Sequence, residues 1–183
     1  MAAKALFRAE DIEGLQELTG KKYELIRGEL FEVTTAPRAN FVSAEIAWLI
    51  TSWNKTTKAG NVAGDIGFKL ESDPDTVRAP EVCFISAGRL TLEESRQGYP
   101  NWAPDLVVEV RSPNDRWPQL RRKAEQFLDH GARLVWLVEP DKYIEVCRPG
   151  QPPQRLELDD VVSGEDVLPG FSCRVRGMFP EQL

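Results

Sequence analysis

Apolar residues recur at intervals of three and four in three stretches of the chain, which is the spacing of one face of an α-helix. The predicted helices cover residues 9–18, 40–58 and 118–130. Gly60 and Gly131 lie just beyond the second and third of them, where a glycine commonly ends a helix. Pro118 suits the start of the third helix, because the first turn does not need its backbone N–H.

Runs of β-branched and aromatic residues between the helices predict strands. They cover residues 61–70, 77–85, 105–111, 133–138 and 143–147, with shorter candidates up to Phe179. Residues 23–33 are typical of a β-hairpin, because Arg27-Gly28 can form the tight turn between two strand-like halves. The strand–helix–strand order over residues 105–138 predicts a parallel pair joined by a right-handed crossover.

These elements predict an α/β (α+β) fold, with a mixed central β-sheet flanked by helices, an N-terminal hairpin and C-terminal β-hairpins. A chain of 183 residues suits a single domain over residues 1–183 with a buried core. Its 42% of hydrophobic residues excludes disordered and fibrous classes. No apolar run approaches the ~20 residues of a membrane span, and residues 1–7 lack the apolar stretch of a signal peptide.

Charge and cysteine usage narrow the classes of protein further. The chain has 29 Asp and Glu against 23 Lys and Arg, a net charge of −6, which argues against a broad basic surface that coats nucleic acid. Its three cysteines, Cys83, Cys147 and Cys173, are far apart and form no C-x-x-C pair. We therefore expect neither a disulfide framework nor a cysteine zinc site, and we expect a reducing cytoplasmic location.

Two glutamates interrupt apolar strand segments. Glu109 lies within Leu-Val-Val-Glu-Val, and Glu81 lies within Ala-Pro-Glu-Val-Cys-Phe-Ile. A strand this apolar is expected to be covered on both faces, where an ionised carboxylate is costly unless it is paired or binds a cation. Side-chain alternation places Asp105, Glu109 and Arg111 on one face of their strand. The alternative is that each glutamate lies at an exposed edge or strand start.

Lys123 lies at the border of the apolar stripe of the third predicted helix. One interpretation is a lysine whose stem covers apolar surface while its ammonium reaches water. The other places the ammonium over the sheet beside Glu109, because a crossover helix packs back onto the strand that it follows. Two carboxylates and a lysine suit phosphodiester hydrolysis: the carboxylates would hold Mg²⁺ or Mn²⁺, and the lysine would orient or help to deprotonate the attacking water.

Four segments carry a resemblance to a known family. They are Tyr-Glu-Leu-Ile-Arg-Gly-Glu-Leu at 23–30, Val-Arg-Ala-Pro-Glu-Val at 77–82, Ala-Pro-Asp-Leu-Val-Val-Glu-Val-Arg-Ser-Pro-Asn-Asp at 103–115, and residues 123–140 with Gly-x-x-x-x-Trp-Leu-Val. In order and spacing they resemble the Uma-type putative restriction endonucleases (domain of unknown function 820), a bacterial family of the PD-(D/E)XK nuclease superfamily. The tail segment Leu-Pro-Gly-Phe at 168–171 also fits. The resemblance implies a restriction-endonuclease-like core with a divalent-metal site.

The resemblance also implies roles for particular residues. The metal carboxylates of the family map to Glu81 and Glu109. The superfamily lysine usually lies two residues after the second carboxylate, where this chain has Arg111, so the alternative lysine on the following helix maps to Lys123. Glu24 matches an acidic position that assists metal binding. Asp105 and Gln126 are lower-ranked groups that would support the ligands, and Arg111 is a candidate for contacting phosphate.

Two positions depart from the family pattern. The family usually has Asp where this chain has Glu81, and the longer side chain would move a bound metal by roughly a bond length, a displacement that is costly in an active site. The family commonly has His near the start of the long helix, where this chain has Asn40. Asn cannot act as a general base, although it can donate a hydrogen bond to phosphate.

Three functions follow as hypotheses. The first is a metal-dependent DNA endonuclease with Glu81, Glu109 and Lys123 as its catalytic residues, acting as a homodimer because double-strand cleavage often uses two sites. The second is a degenerate nuclease fold that binds nucleic acid or a protein without cutting. The third is a protein-interaction module with Trp53, Trp102 and Trp117 as an interface, although these residues are more readily interpreted as packing within the chain. With a net charge of −6, we expect weak DNA affinity in the absence of metal.

Overall fold

The computed structural model describes residues 6–181. The expectation that residues 1–7 are not a signal peptide therefore concerns residues that lie largely outside the described range. Its helices are α1 (Ala9–Thr19), α2 (Pro37–Thr57) and α3 (Trp117–Asp129). Its strands are β1 (Lys22–Ile26), β2 (Glu29–Val33), β3 (Gly60–Ala63), β4 (Phe68–Glu71), β5 (Thr76–Arg78), β6 (Val82–Ser86), β7 (Leu106–Val110), β8 (Leu134–Glu139), β9 (Tyr143–Cys147), β10 (Gln154–Glu157), β11 (Val161–Ser163) and β12 (Ser172–Arg174). Short 3-10 turns occur at Glu94–Arg96 and Val175–Met178.

The central sheet has six strands in the order β10-β9-β8-β7-β6-β3. β7 and β8 are parallel and are joined through α3, whereas the other neighbours are antiparallel. α2 and the C-terminal segment pack on one face of the sheet, and α3 packs on the other. The expected mixed sheet flanked by helices is therefore confirmed, as is the parallel pair around the third helix.

A second, smaller sheet has the order β2-β1-β5-β4 and is antiparallel throughout. Sequence patterning predicts single strands over 61–70 and 77–85, but each of these segments forms two strands that belong to different sheets. The first segment is broken by a turn with Asp65 at φ 58°. The second changes sheet at Ala79-Pro80-Glu81, because proline cannot donate a hydrogen bond to a continuing sheet ladder.

The N-terminal hairpin has the turn that its sequence predicts. Arg27 and Gly28 have φ of 49° and 78°, the pair of left-handed residues that a two-residue hairpin turn requires. One face of the hairpin packs on α1 through Leu25, which is fully buried with Ile12 and Val77. The opposite face is turned toward the carboxylates described below.

The three tryptophans considered as an interface contact rings of their own chain. Their ring partners are Phe84 for Trp53, Phe68 for Trp102 and Tyr143 for Trp117, with centroid distances of 5.6–5.9 Å. The interpretation as intramolecular packing is confirmed. Within residues 6–181, no helix combines the length and apolar character that crossing a membrane requires.

Candidate active site

The predicted catalytic residues meet at one cavity between the two sheets. Glu109 lies in β7, Lys123 lies on α3, and Glu81 lies immediately before β6 at the crossing from the small sheet to the large one. Glu24 reaches the same place from β1. All four side chains line a cavity of about 800 Å³ that also extends along the hairpin, and we refer to it as the site cavity.

An ion pair between Lys123 and Glu109 lies at the base of the site cavity. Nζ of Lys123 is 2.8 Å from Oε1 of Glu109, and these side chains are 12% and 5% exposed. Oε1 nevertheless accepts no well-directed hydrogen bond within residues 6–181. Burial raises the pKa of Glu109 to about 8, with Lys123 opposing the rise and the charge of Glu81 adding to it. The raised pKa means that Lys123 alone does not compensate for burying the charge of this carboxylate.

Glu24 holds Lys123 from the side of the small sheet. Its Oε1 is 2.7 Å from Nζ of Lys123 and accepts a 3.0 Å hydrogen bond from the backbone N–H of Ala79. Its Oε2 accepts from Nη1 of Arg78 at 2.8 Å, and Arg78 in turn donates to Oε1 of Gln126 at 2.8 and 3.0 Å. Burial alone would raise the pKa of Glu24, but Lys123 and Arg78 lower it below its usual range.

The side chain of Lys123 therefore stays protonated. Burial alone would lower the pKa of its ammonium, but Glu109 and Glu24 together raise it above its usual range. Nζ also donates to the carbonyl oxygen of Ala79 at 3.1 Å. An amine that stays protonated can donate hydrogen bonds and stabilise negative charge, but it cannot accept a proton from water.

Glu81 is fixed by the backbone of the neighbouring strand. Its Oε2 accepts a 2.6 Å hydrogen bond from the N–H of Val110 and a 3.3 Å bond from Oγ of Ser43 on α2. No hydrogen bond to Oε1 is found within the described part of the chain. Burial raises the pKa of Glu81 to about 7, and the charge of Asp115, which also lines the site cavity, adds to the rise.

The donor set suits a hard divalent cation that keeps part of its water. Among residues 6–181, no group of three or more His, Cys, Asp or Glu side chains is gathered as a ready metal cage. Mg²⁺ is usually held by one or two carboxylates together with water and substrate phosphate oxygens rather than by an all-protein cage. Glu81 and Glu109 provide two such carboxylates. Each has an oxygen that lacks a hydrogen bond, and each has a raised pKa that a bound cation would lower.

Three lower-ranked candidates are not brought to the site cavity. Asp105 lies at the other end of β7, where it accepts from the N–H of Ser86 and pairs with Arg89 at 2.8 Å. Arg111 pairs with Glu139 at 2.8 Å. Asn40 is exposed near the start of α2, and it does not line the site cavity. Gln126 does contact the network, through Arg78.

Arg78 and Ser43 are the site residues that sequence reasoning missed. Arg78 is 8% exposed and lies three positions before Glu81, at the end of the buried strand β5. β5 reads Thr-Val-Arg, so no apolar run marks this arginine in the sequence, and only the pairing of β1 with β5 brings it to Glu24. Nothing local distinguishes Ser43 from other helix serines, since it approaches Glu81 only through the packing of α2 on the sheet.

Comparison with solved structures shows a protein of the same fold. A crystal structure of a putative nuclease belonging to DUF820 from Anabaena variabilis ATCC 29413 is similar in fold, with a TM-score of 0.78 and 20% identity over 92% of this chain and 96% of that one. A cryoEM structure of a DrdV–DNA complex is a weaker likeness, with a TM-score of 0.46 and 12% identity over 82% of this chain and 12% of that one. A search of curated proteins gives no match.

A match between the sequence and a family model identifies the family. The model of the Uma2 family, described as "Putative restriction endonuclease", matches residues 9–176, which is nearly the whole chain. The fold shared with the cyanobacterial structure agrees with that match. The chain therefore belongs to the Uma2 family of putative restriction endonucleases, and its family and fold are those of a nuclease.

Proposed function

We propose that the protein is a divalent-metal-dependent endonuclease that hydrolyses phosphodiester bonds of DNA. One observation carries the proposal: two glutamates with raised pKa values, the buried Glu109 and the partly buried Glu81, line the same cavity as the lysine cation that is paired with Glu109. Within a nuclease family, that combination of acids and cation is the chemistry that phosphodiester hydrolysis needs.

In this proposal Glu81 and Glu109 hold the cation, Mg²⁺ or Mn²⁺. When bound, such a cation lowers the pKa of a coordinated water and stabilises negative charge on the phosphate. Val110 and Ser43 fix one oxygen of Glu81, which leaves its other oxygen for the cation. Charge balance also supports these roles, because the buried Glu109 shares Lys123 with Glu24 and Glu81 has no ion pair within residues 6–181.

Lys123 then positions the attacking water and stabilises charge on the phosphate oxygens. It acts as a hydrogen-bond donor rather than as a base, because Glu24 and Glu109 keep it protonated. Glu24 remains a candidate metal ligand from the sequence, but its contacts with Lys123, Arg78 and the Ala79 N–H favour a role in holding Lys123.

Cleavage of plasmid and linear DNA in Mg²⁺ or Mn²⁺ tests the proposal. Glu109→Gln keeps the volume of the side chain and removes its charge, and we expect it to lower the cleavage rate by at least about 100-fold. Glu145→Gln is the matched control, since Glu145 is also a buried strand glutamate but pairs with Arg121 away from the site cavity. Equal activity of wild type and Glu109→Gln would refute the assignment.

A second candidate is a nuclease fold that binds nucleic acid or a protein partner without cutting. It is favoured by the position of Glu81, whose Oε2 is held 2.6 Å from the N–H of Val110. Under this alternative the longer glutamate is engaged by the backbone and does not reach a metal. DNA binding without cleavage in the wild type, with cleavage gained in Glu81→Asp, would establish it.

We further propose that the protein acts in the cytoplasm as a homodimer, since enzymes that cut both strands of a duplex often use two active sites. The mass of the protein in solution, measured by light scattering, should be twice the 20.6 kDa of one chain. A mass of one chain at micromolar concentration would refute the dimer without bearing on the chemistry of the site.

A further inference from the structure

One wall of the site cavity is apolar and has no part in holding a metal. It is formed by the face of the hairpin that points away from α1 and is lined by Ile26, Phe31 and Val33. Phe31 is 45% exposed, which is unusual for a large aromatic side chain in a strand. This hairpin wall lines the same cavity as the carboxylates.

The strand register places the hairpin wall close to the ammonium of Lys123. Phe31 on β2 is paired directly with Glu24 on β1, so the two side chains lie on the same face with Cβ atoms ~4.5–5.5 Å apart. Glu24 in turn contacts Nζ of Lys123 at 2.7 Å. The Phe31 ring is therefore separated from the ammonium of Lys123 by a single side chain.

With the proposed divalent cation bound, the charges around the site cavity favour an anionic occupant. Six acidic and five basic side chains line the cavity, and the two positive charges of the cation leave a net charge of +1. Arg122 lines the cavity from α3, is exposed, and has no ion pair within residues 6–181. Gln119 and Gln16 offer amides on the same rim. The occupant that combines a flat apolar surface with a phosphate beside it is a nucleotide, whereas an apolar peptide would leave Arg122 without an anion.

A base inside a duplex cannot occupy this wall. Paired bases keep their faces stacked on one another, so only an unpaired or flipped base can present its face to a side chain. A site cavity of about 800 Å³ lies in the range that encloses a small molecule or one nucleotide.

We propose that Phe31 stacks against an unpaired base of the substrate strand and that the enzyme therefore acts on single-stranded or locally opened DNA. The inference rests on the proposed nuclease function and names its substrate class. Stacking at the hairpin wall would place the neighbouring phosphate beside Lys123 and the proposed cation in the same cavity.

Binding measured with Ca²⁺ in place of Mg²⁺ tests the stacking separately from cleavage. The probes are a fluorescent 20-nucleotide single strand and the blunt duplex of the same sequence. Phe31→Ala should weaken binding of the single strand about tenfold, within the ~5- to 150-fold range of base–aromatic stacking, and change duplex binding less than about twofold. Phe31→Trp, which keeps a ring, should stay within about twofold of the wild type.

Phe41→Ala is the matched control, because Phe41 is 50% exposed on α2 and does not line the site cavity. It should leave binding of both probes unchanged. If Phe31→Ala does not fold, Phe31→Leu takes its place, since leucine keeps apolar volume but has no ring. Equal binding of the single strand by wild type and the ring-less variant, or an equal loss for single strand and duplex, would overturn the proposal.

The same measurements separate failure of the inference from failure of the proposed function. A protein that cleaves DNA but shows no effect of Phe31→Ala keeps the nuclease function and loses the stacking. A protein that does not cleave but binds single strands through Phe31 keeps the stacking and loses the nuclease function. A protein that binds neither probe overturns both.

Discussion

Replacing Lys123 with methionine removes the cation that joins the two sheets while keeping the length of the side chain. Three oxygens lose their contact with the ammonium: Oε1 of Glu24 at 2.7 Å, Oε1 of Glu109 at 2.8 Å and the carbonyl oxygen of Ala79 at 3.1 Å. Removing one partner of a buried ion pair typically costs ~3–5 kcal/mol, because the other charge remains buried. Glu24 keeps Arg78 as a partner, so the cost falls mainly on Glu109.

The cost should depend on pH, and its sign follows from Glu109. The pKa of Glu109 is already about 8 with Lys123 present and rises further without it, so the folded variant retains a proton that the unfolded chain has released. From pH ~4.5 to 8 the stability of the wild type and of the variant falls alike, because Glu109 keeps this proton in both folded proteins. Above about pH 8 the folded wild type releases the proton and the variant does not, so the cost of the substitution grows there. Lys123 is charged in the folded and unfolded wild type between pH 6 and 8.5, so it adds no slope of its own. We expect a loss of about 1–2 kcal/mol at pH 6 and a further loss of somewhat less than about 1 kcal/mol at pH 8.5.

Urea unfolding at the two pH values, followed by circular dichroism, measures the free energies. Arg122→Met is the matched control, because it removes a positive charge from the adjacent position of α3 where the side chain is exposed. The control should cost less than about 0.5 kcal/mol at either pH. Our account of the buried ion pair would be refuted if Lys123→Met cost no more than Arg122→Met, or if its cost did not grow with pH.

Further predictions concern the metal, the far end of β7 and the turn beside Glu81. Mg²⁺ affinity, measured by isothermal titration, should rise by at least about tenfold from pH 6 to pH 8, because Glu81 and Glu109 have pKa values of about 7 and 8 and must lose protons to bind; an affinity independent of pH would contradict their role. Asp105→Asn should cost about 1–3 kcal/mol in urea unfolding and leave the cleavage rate unchanged, since its bonds lie away from the site cavity. Gly64→Ala should lower the cleavage rate, because its Cβ would lie 2.5 Å from the carbonyl oxygen of Glu81 and displace that residue; unchanged cleavage would show that Glu81 tolerates the shift.

The sequence predicts the helices and the buried strands well because their periodicity is set locally. α1, α2 and α3 lie within three residues of the predicted bounds at each end, and the parallel pair β7–β8 follows from the strand–helix–strand order. The division into two sheets is not predictable in the same way. Residues 61–70 have strand-like composition throughout, and only tertiary pairing decides that β3 joins the large sheet and β4 joins the small one.

The candidate site follows the same division between local and long-range information. Glu109 is marked by its own apolar neighbours, and Lys123 by its place on a helix that must pack back on β7. The partners of Glu24 could not be inferred locally, because Arg78 lies 54 positions away and approaches only when β1 pairs with β5. Alternation gives the face of Asp105 but not its place at the other end of the strand from the cavity, since the sequence does not show where along β7 the cavity opens.

The bridge of Lys123 between the two sheets also sets the stage of synthesis at which the candidate site can assemble. During synthesis β1, the Glu81 segment and β7 leave the ribosome before α3 does, so every carboxylate of the site is made before the ammonium that joins them. α3 can dock only when β8 has emerged to pair alongside β7. A nascent or prematurely terminated chain that ends before α3 therefore holds the acids without their cation, and the assembled centre belongs only to a chain synthesised past residue 139.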